Sequence, residues 1–444
     1  HGVTANGAAH LIGPKVGTTV AHFDGGGDYI TAAASSDFDW GSGDFTVEGW
    51  YNLTATDTGG YGLMGNRPAS PTSGWLWEWD IGGGGVGLMY FYYHDGSSQV
   101  NKNWDWKPTD NAWHHLAVVR YGDTMDFYVD GVGQDNQAFT DTITAGATWF
   151  YGYQPASSNY DFNGYTGPQR MSNTARYTAD FTLPDDVWTN DVNTKLLLQN
   201  GTDGSQTFTD GSSGSHTISV TGDVRWFAPK VGAGAMAFNG SDADLSLSSS
   251  AGNSLIGGSG DWTIEGWVKW ISGSSIFMEQ GDNNERALQF WVQPDGDIQI
   301  YLSNTDGSWD FNEVSGSTLT AHAWTHVALV KNGSAITLYK DGARDSVIDG
   351  STTQATINNS SDDFFIGSFD DASSFWNGYM DQVRFSRSVR YTGASFTVPT
   401  TELTDDINTT LLLNADLNQG TWFEDQSTGL AISEKSRMDF DGTG

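Results

Sequence analysis

The sequence predicts an all-β chain of two tandem antiparallel β-sandwich domains. Three observations carry this. The chain is internally duplicated, it alternates apolar and polar residues over many short runs, and hairpin-type dipeptides separate those runs. Helical periodicity nowhere extends convincingly beyond one turn.

The duplication is read directly. His1 to Gly17 (HGVTANGAAHLIGPKVG) aligns without a gap on His216 to Gly232 (HTISVTGDVRWFAPKVG), an offset of 215 residues. Phe23-Asp24-Gly25 and Phe238-Asn239-Gly240 keep that offset. In the same order, DFTVEGW at Asp44 matches DWTIEGW at Asp261, and WHHLAVVR at Trp113 matches WTHVALVK at Trp324. Asn163-Gly164-Tyr165 matches Asn377-Gly378-Tyr379, and VNTKLLL at Val192 matches INTTLLL at Ile407. These matches divide the chain into a first domain at 1–200, a Gly/Ser/Thr-rich connection at 201–227, a second domain at 228–415 and a tail at 416–444. In the tail, Ser436 to Gly444 (SRMDFDGTG) returns to the opening motif, which predicts either a fragment of a longer array or a last strand that completes a neighbouring fold. His1 in place of Met predicts that something upstream was removed, cut off or left out.

Strand assignments follow from period-2 patterning at Phe45–Trp50, Ile298–Tyr301 and Ala335–Tyr339. Leu116–Val119 and Val327–Val330 are apolar throughout and predict strands buried on both faces. Asp130-Gly131, Asn332-Gly333 and Asp341-Gly342 predict tight hairpins.

Composition narrows the function. With 54 acidic against 20 basic residues, the net charge of −34 repels phosphate backbones and anionic membranes. No apolar run is long enough to span a bilayer. The absence of cysteine excludes disulfides, thiolate metal sites and a cysteine nucleophile.

The order FDG…DYI, DFTVEGW, WHHLAVVR, FYVDG and ARYTADFTLP resembles the laminin G-like group of the concanavalin A-like lectin/glucanase superfamily, over nearly all of both copies. The resemblance implies a jelly roll with one concave sheet, serving carbohydrate binding, adhesion or spacing. ARYTADFTLP followed by VNTKLLL is similar to repeats of phage virion and tail-fibre proteins and of bacterial surface proteins. Hydrolases of the superfamily carry Glu-x-Asp-x-x-Glu on one strand. Here Glu78-Trp79-Asp80-Ile81-Gly82-Gly83 lacks the second Glu and the second copy has no acid pair, so the chain is expected not to be an enzyme.

Indole and phenol faces on such a sheet would stack on sugar rings. The candidates are Trp77, Trp79, Tyr92, Trp104 and Trp106 in the first copy and Trp291 and Trp309 in the second, with half or more of the aromatic set expected in the core. The resemblance also implies a structural calcium ion held by the opening turn and a late-strand aspartate, which the second copy keeps as Asn239 and Asp381. The first copy has Asp24, but Gly167-Pro168 replaces the late aspartate. His114 and His115 are neighbours on a strand, point to opposite faces and cannot chelate together.

Two functions are expected. One is a non-catalytic structural and interaction repeat of a virion appendage, fibre or extracellular surface filament, contacting copies of itself, neighbouring virion or surface proteins, or cell-surface glycans. The other is a glycan-binding lectin or adhesin working through an aromatic concave face.

Overall fold

The computed structural model describes residues 1–427 except 55–58, 82–84, 86, 157–159, 282–284, 306, 371, 372, 418 and 422. Gly82 and Gly83 of the acidic motif, and Ser436–Gly444 of the tail, therefore lie outside the described residues. Two compact units emerge. The first domain comprises Ile12–Pro229 with Leu417–Gly420; the second comprises His1–Leu11, Lys230–Asp416 and the segment beginning at Thr421.

Each domain is an antiparallel sandwich. In the first, a seven-stranded sheet runs Ile218–Thr221, Tyr29–Ala32, Trp149–Tyr151, Gly60–Gly65, Trp75–Asp80, Leu88–His94, Gln99–Asp105. Its companion sheet is centred on Trp113–Tyr121, Phe45–Leu53 and Asn163–Ser172. The second domain repeats the plan. Its seven strands run Thr4–Asn6, Asp244–Leu247, Phe364–Ile366, Ser275–Gln280, Leu288–Val292, Asp297–Leu302, Phe311–Thr318.

The apolar alternation explains the core. Trp75, Trp77, Phe91 and Trp149 of one sheet meet Phe45, Val47, Leu116 and Val118 of the other. Phe277, Phe290, Ile300, Ile264 and Leu329 do the same in the second domain. At the hairpins, Asp130 and Gly131 take φ of 51° and 81°, the paired left-handed geometry of a type I′ turn.

The doubly buried runs have a specific cause. On the far side of the central sheet, Ala117, Val119 and Tyr128 lie under Ala175, Tyr177 and Phe181. Tyr177 and Phe181 stack with ring centroids 3.5 Å apart. Tyr391 and Phe396 cover Ala328, Val330 and Tyr339 in the same way, at 3.6 Å. The ARYTADFTLP segment is thus a cover for the scaffold.

Beneath each cover lies a charged network. Glu48 is fully buried and accepts from Arg170 at 2.6 Å and from the Tyr177 hydroxyl at 2.8 Å, with His115 Nε2 at 3.3 Å. Glu265 repeats this with Arg384 (2.6 Å), Tyr391 (2.6 Å) and His326 (3.4 Å). Burial alone would raise both carboxyls, but the adjoining histidine and the arginine charge outweigh it and hold them below the ordinary glutamate value. His115 is therefore a scaffold residue, and His114 turns the other way to Asp130 Oδ2 at 2.8 Å.

Two expectations need correction. The segment 201–227 is more than a connection, because Ile218–Thr221 and Arg225–Phe227 are strands of the first domain's sheets. Correspondingly, His1–Leu11 belongs to the second domain. The chain also contains a true helix, Ser249–Ile256, which the Ser/Gly-rich sequence conceals. The Ser248 side chain caps its N-terminus by accepting from Ala251 N–H, and Leu255 and Ile256 anchor it in the core.

Candidate functional site

The outward face of each seven-stranded sheet brings polar and aromatic side chains together. Alternation sends Trp75, Trp77 and Trp79 inward, and so places Leu76, Glu78 and Asp80 on the opposite face. Across the first domain's face, Gly65, Leu76, Tyr92 and Asn101 form one transverse row, and Gly62, Glu78, Tyr90 and Asn103 the next.

The second domain presents the same grid. Phe150 and Phe365 occupy equivalent places, paired with Thr31 and Ser246, and they register Gly65 against Glu279. The corresponding rows are Glu279, Gln289, Tyr301, Asn312 and Ile276, Trp291, Gln299, Val314. The Tyr92–Asn101 pair of one domain is thus Tyr301–Asn312 in the other. Each face also holds one buried glutamate, but at different grid points: Glu78 and Glu279.

In the first domain Tyr90 and Tyr92 stack at 5.2 Å, and the Arg67 guanidinium lies 5.4 Å from the Tyr92 ring centroid. Gln154 Nε2 donates to Glu78 Oε2 at 2.6 Å, and the Tyr160 hydroxyl donates to Asp80 Oδ2 at 2.9 Å. Burial raises the Glu78 carboxyl to about 6, against the opposing pull of Gln154 and Arg67. In the second domain Trp291, Tyr301 and Trp309 form a continuous half-buried strip, with centroids 6.4 and 5.4 Å apart. Arg286 lies 5.3 Å over Trp309, and Trp291 Nε1 donates to Ser274 Oγ at 2.7 Å. Gln299 Nε2 donates to Asn312 Oδ1 at 2.8 Å, tying the edge of the strip together.

The sequence-predicted aromatics divide accordingly. Tyr92, Trp291 and Trp309 lie on these faces. Trp77, Trp79 and Trp104 do not: they are core residues, 0, 0 and 3% exposed, because their strands point them between the sheets. Trp106 packs against the core edge, beside His114 and Phe127. Glu78 lies on the outward face yet is only 3% exposed. Sequence reasoning missed Asn101, Asn312, Glu279, Arg67 and Arg286. The two asparagines had a signal in their strands' alternation, whereas the arginines reach the face from outside those strands.

The predicted metal pair is not assembled. Asn239 pairs with Asn377 across the ladder, while Asp381 lies four residues further along that strand, about 13 Å away. Asn239 instead closes its own turn, accepting from Ser241, Asp242 and Ala243 N–H groups at 3.0, 3.1 and 3.2 Å. Asp381 is wholly buried, accepts from Val231 N–H at 2.9 Å, and is raised by that burial to about 7. Among the described residues no three His, Cys, Asp or Glu side chains converge to hold a metal. Nor is any helix there long and apolar enough to cross a membrane.

No curated protein matches the sequence. Among solved structures, mouse laminin α1 domains LG4-5 share 11% identity over 88% of this chain and 96% of that one, with a TM-score of 0.32. A putative carbohydrate binding protein from Bacteroides ovatus shares 14% identity, over 48% of this chain and 60% of that one, at 0.35. Domain 4 of an extracellular arabinanase from Geobacillus stearothermophilus, in complex with arabinotriose, shares 19% over 37% and 73%, at 0.26. A family model described as concanavalin A-like lectin/glucanases superfamily matches residues 24–180 and again 239–391. The chain is therefore a tandem pair of laminin G-like domains belonging to the concanavalin A-like lectin/glucanases superfamily.

Proposed function

We propose that this protein binds carbohydrate through the outward face of its seven-stranded sheets, as a non-catalytic interaction module of an extracellular or virion-surface filament. One observation carries the reading: the same Tyr–Asn pair recurs at the same grid position in both domains, on a face that also holds a buried glutamate and an aromatic ring capped by arginine. Core packing does not require a tyrosine and an asparagine on the outward face, whereas sugar recognition uses that combination. A ring face covers the apolar side of a pyranose or furanose, and amide and carboxylate groups satisfy its hydroxyls. The acidic surface favours neutral or basic sugars over acidic ones. The filament setting is supported by the duplication of the domain within the chain.

A glycan array followed by calorimetry on the hits tests this. Dose-dependent binding that is lost in Tyr301→Ala and Trp309→Ala, with melting unchanged, is the expected result. Absence of binding to any neutral glycan, or binding indifferent to both substitutions and to Tyr92→Ala, would overturn it.

A further inference from the structure

The first eleven residues close the second domain as residues 216–227 close the first. Thr4–Asn6 pairs with Asp244–Leu247, Thr4 opposite Ser246. Ile218–Thr221 pairs with Tyr29–Ala32, Ser219 opposite Thr31. These registers are identical once the repeat offset is applied. His10–Ile12 then joins the companion sheet beside Ala235–Asn239, as Arg225–Phe227 joins Val20–Asp24.

Side chains repeat the correspondence. Ala9 and Leu11 enter the second domain's core, with Val3 and Ala5 packed against it. Asn6 Nδ2 donates to Asp244 Oδ1 at 2.6 Å, and the His1 amino group donates to Asp425. Yet the two closing segments, VTANGAAHLI and ISVTGDVRWF, share little beyond apolar spacing and one glycine. The slot therefore selects backbone pairing and apolar spacing more than identity. Residues 13–19, which follow the closing strand, form no helix or strand.

From this we infer that the edge slot beside Asp244–Leu247 is a site of strand exchange, whose partner is a second copy of this chain. His1–Leu11 of one copy closes the second domain of another, and each copy donates one strand and accepts one. The contacts just described are the same whether the strand arrives from its own chain or another, so exchange costs little beyond association. A short connection gives the intrachain strand an effective concentration in the millimolar range, so exchange is favoured where copies fold together at high local concentration. The resulting contact is head-to-tail and extends into a ring or filament.

The test uses full-length chains with single cysteines, since the native chain has none. Chains carrying Thr4→Cys and chains carrying Ser246→Cys, each with its own tag, are co-expressed and treated with a short bis-maleimide. Exchange gives a covalent heterodimer on denaturing gels. The heterodimer is lost when the Thr4→Cys chain also carries Leu11→Asp, and it is absent when Ser246→Cys is replaced by the exposed control Tyr121→Cys. No heterodimer, or equal yield with the control, overturns the inference. A chain carrying both cysteines must also bridge internally when dilute; failure there would show that the strand does not sit in this slot.

Discussion

The amino group of His1 donates to a carboxylate oxygen of Asp425, reproducing a contact of the first domain in which the His216 N–H donates to Asp210 at 2.9 Å. Each aspartate uses its other oxygen alike. Asp210 accepts from Leu197 and Ser212 N–H at 3.0 and 2.8 Å, and Asp425 from Leu412 and Ser427 at 3.1 and 2.9 Å. One carboxylate thus ties the start of a closing segment to the last core strand. Asp425→Ala leaves the buried Leu412 N–H without this acceptor. The expected cost is about 1–3 kcal/mol, confined to the second domain. Hydrogen exchange resolved by domain checks it; Asp210→Ala should weaken only the first.

Glu48 and Glu265 sustain the buried networks. Replacing either with Ala strands a buried arginine and is expected to cost about 3–5 kcal/mol in urea denaturation. Because both carboxyls lie below their ordinary value, their contribution is present above the unfolded-state value and lost as pH falls through the depressed one. Wild type should therefore lose more stability between neutral pH and about pH 3 than Glu48→Ala does.

Glu78 has the opposite sign. Its value rises from 4.5 to about 6, so the folded state holds the proton more tightly and stability falls as pH climbs through that window. The loss is about 2 kcal/mol. Glu78→Gln should flatten the stability profile between those values, and an unchanged slope would place the titration elsewhere.

Asp381 follows the same logic over a wider window, from 3.8 to about 7. Above it, the buried charge is a cost. Asp381→Asn keeps an oxygen for the Val231 N–H and should raise the melting temperature at neutral pH, with little effect in acid. A calcium-dependent increase in wild-type melting that is lost in this variant would instead show that the carboxylate serves a metal.

Trp77 and Trp309 separate the roles of the aromatic residues. Trp77→Ala empties a core site and should cost about 3–5 kcal/mol in thermal unfolding. Trp309→Ala should stay within about 1 kcal/mol of wild type while weakening carbohydrate binding.

The duplication, the all-β class, the hairpins at Asp130 and Asp341 and the doubly buried central strands were all legible in the sequence. Each is a local pattern: a repeat, a period of two, or a dipeptide with positive φ. Alternation at Trp75–Asp80 shows that Trp77 and Glu78 part company, but not which of them faces the companion sheet. That depends on strands far away in sequence. Only the tertiary structure places Tyr92 beside Asn101, lays Arg67 over Tyr92, separates Asn239 from Asp381, and assigns the first eleven residues to the second domain. Sheet pairing is long-range, so neighbours across a sheet, and the domain a strand completes, follow from the folded topology. The repeat shows that two closing segments exist; the fold decides which edge each one fills.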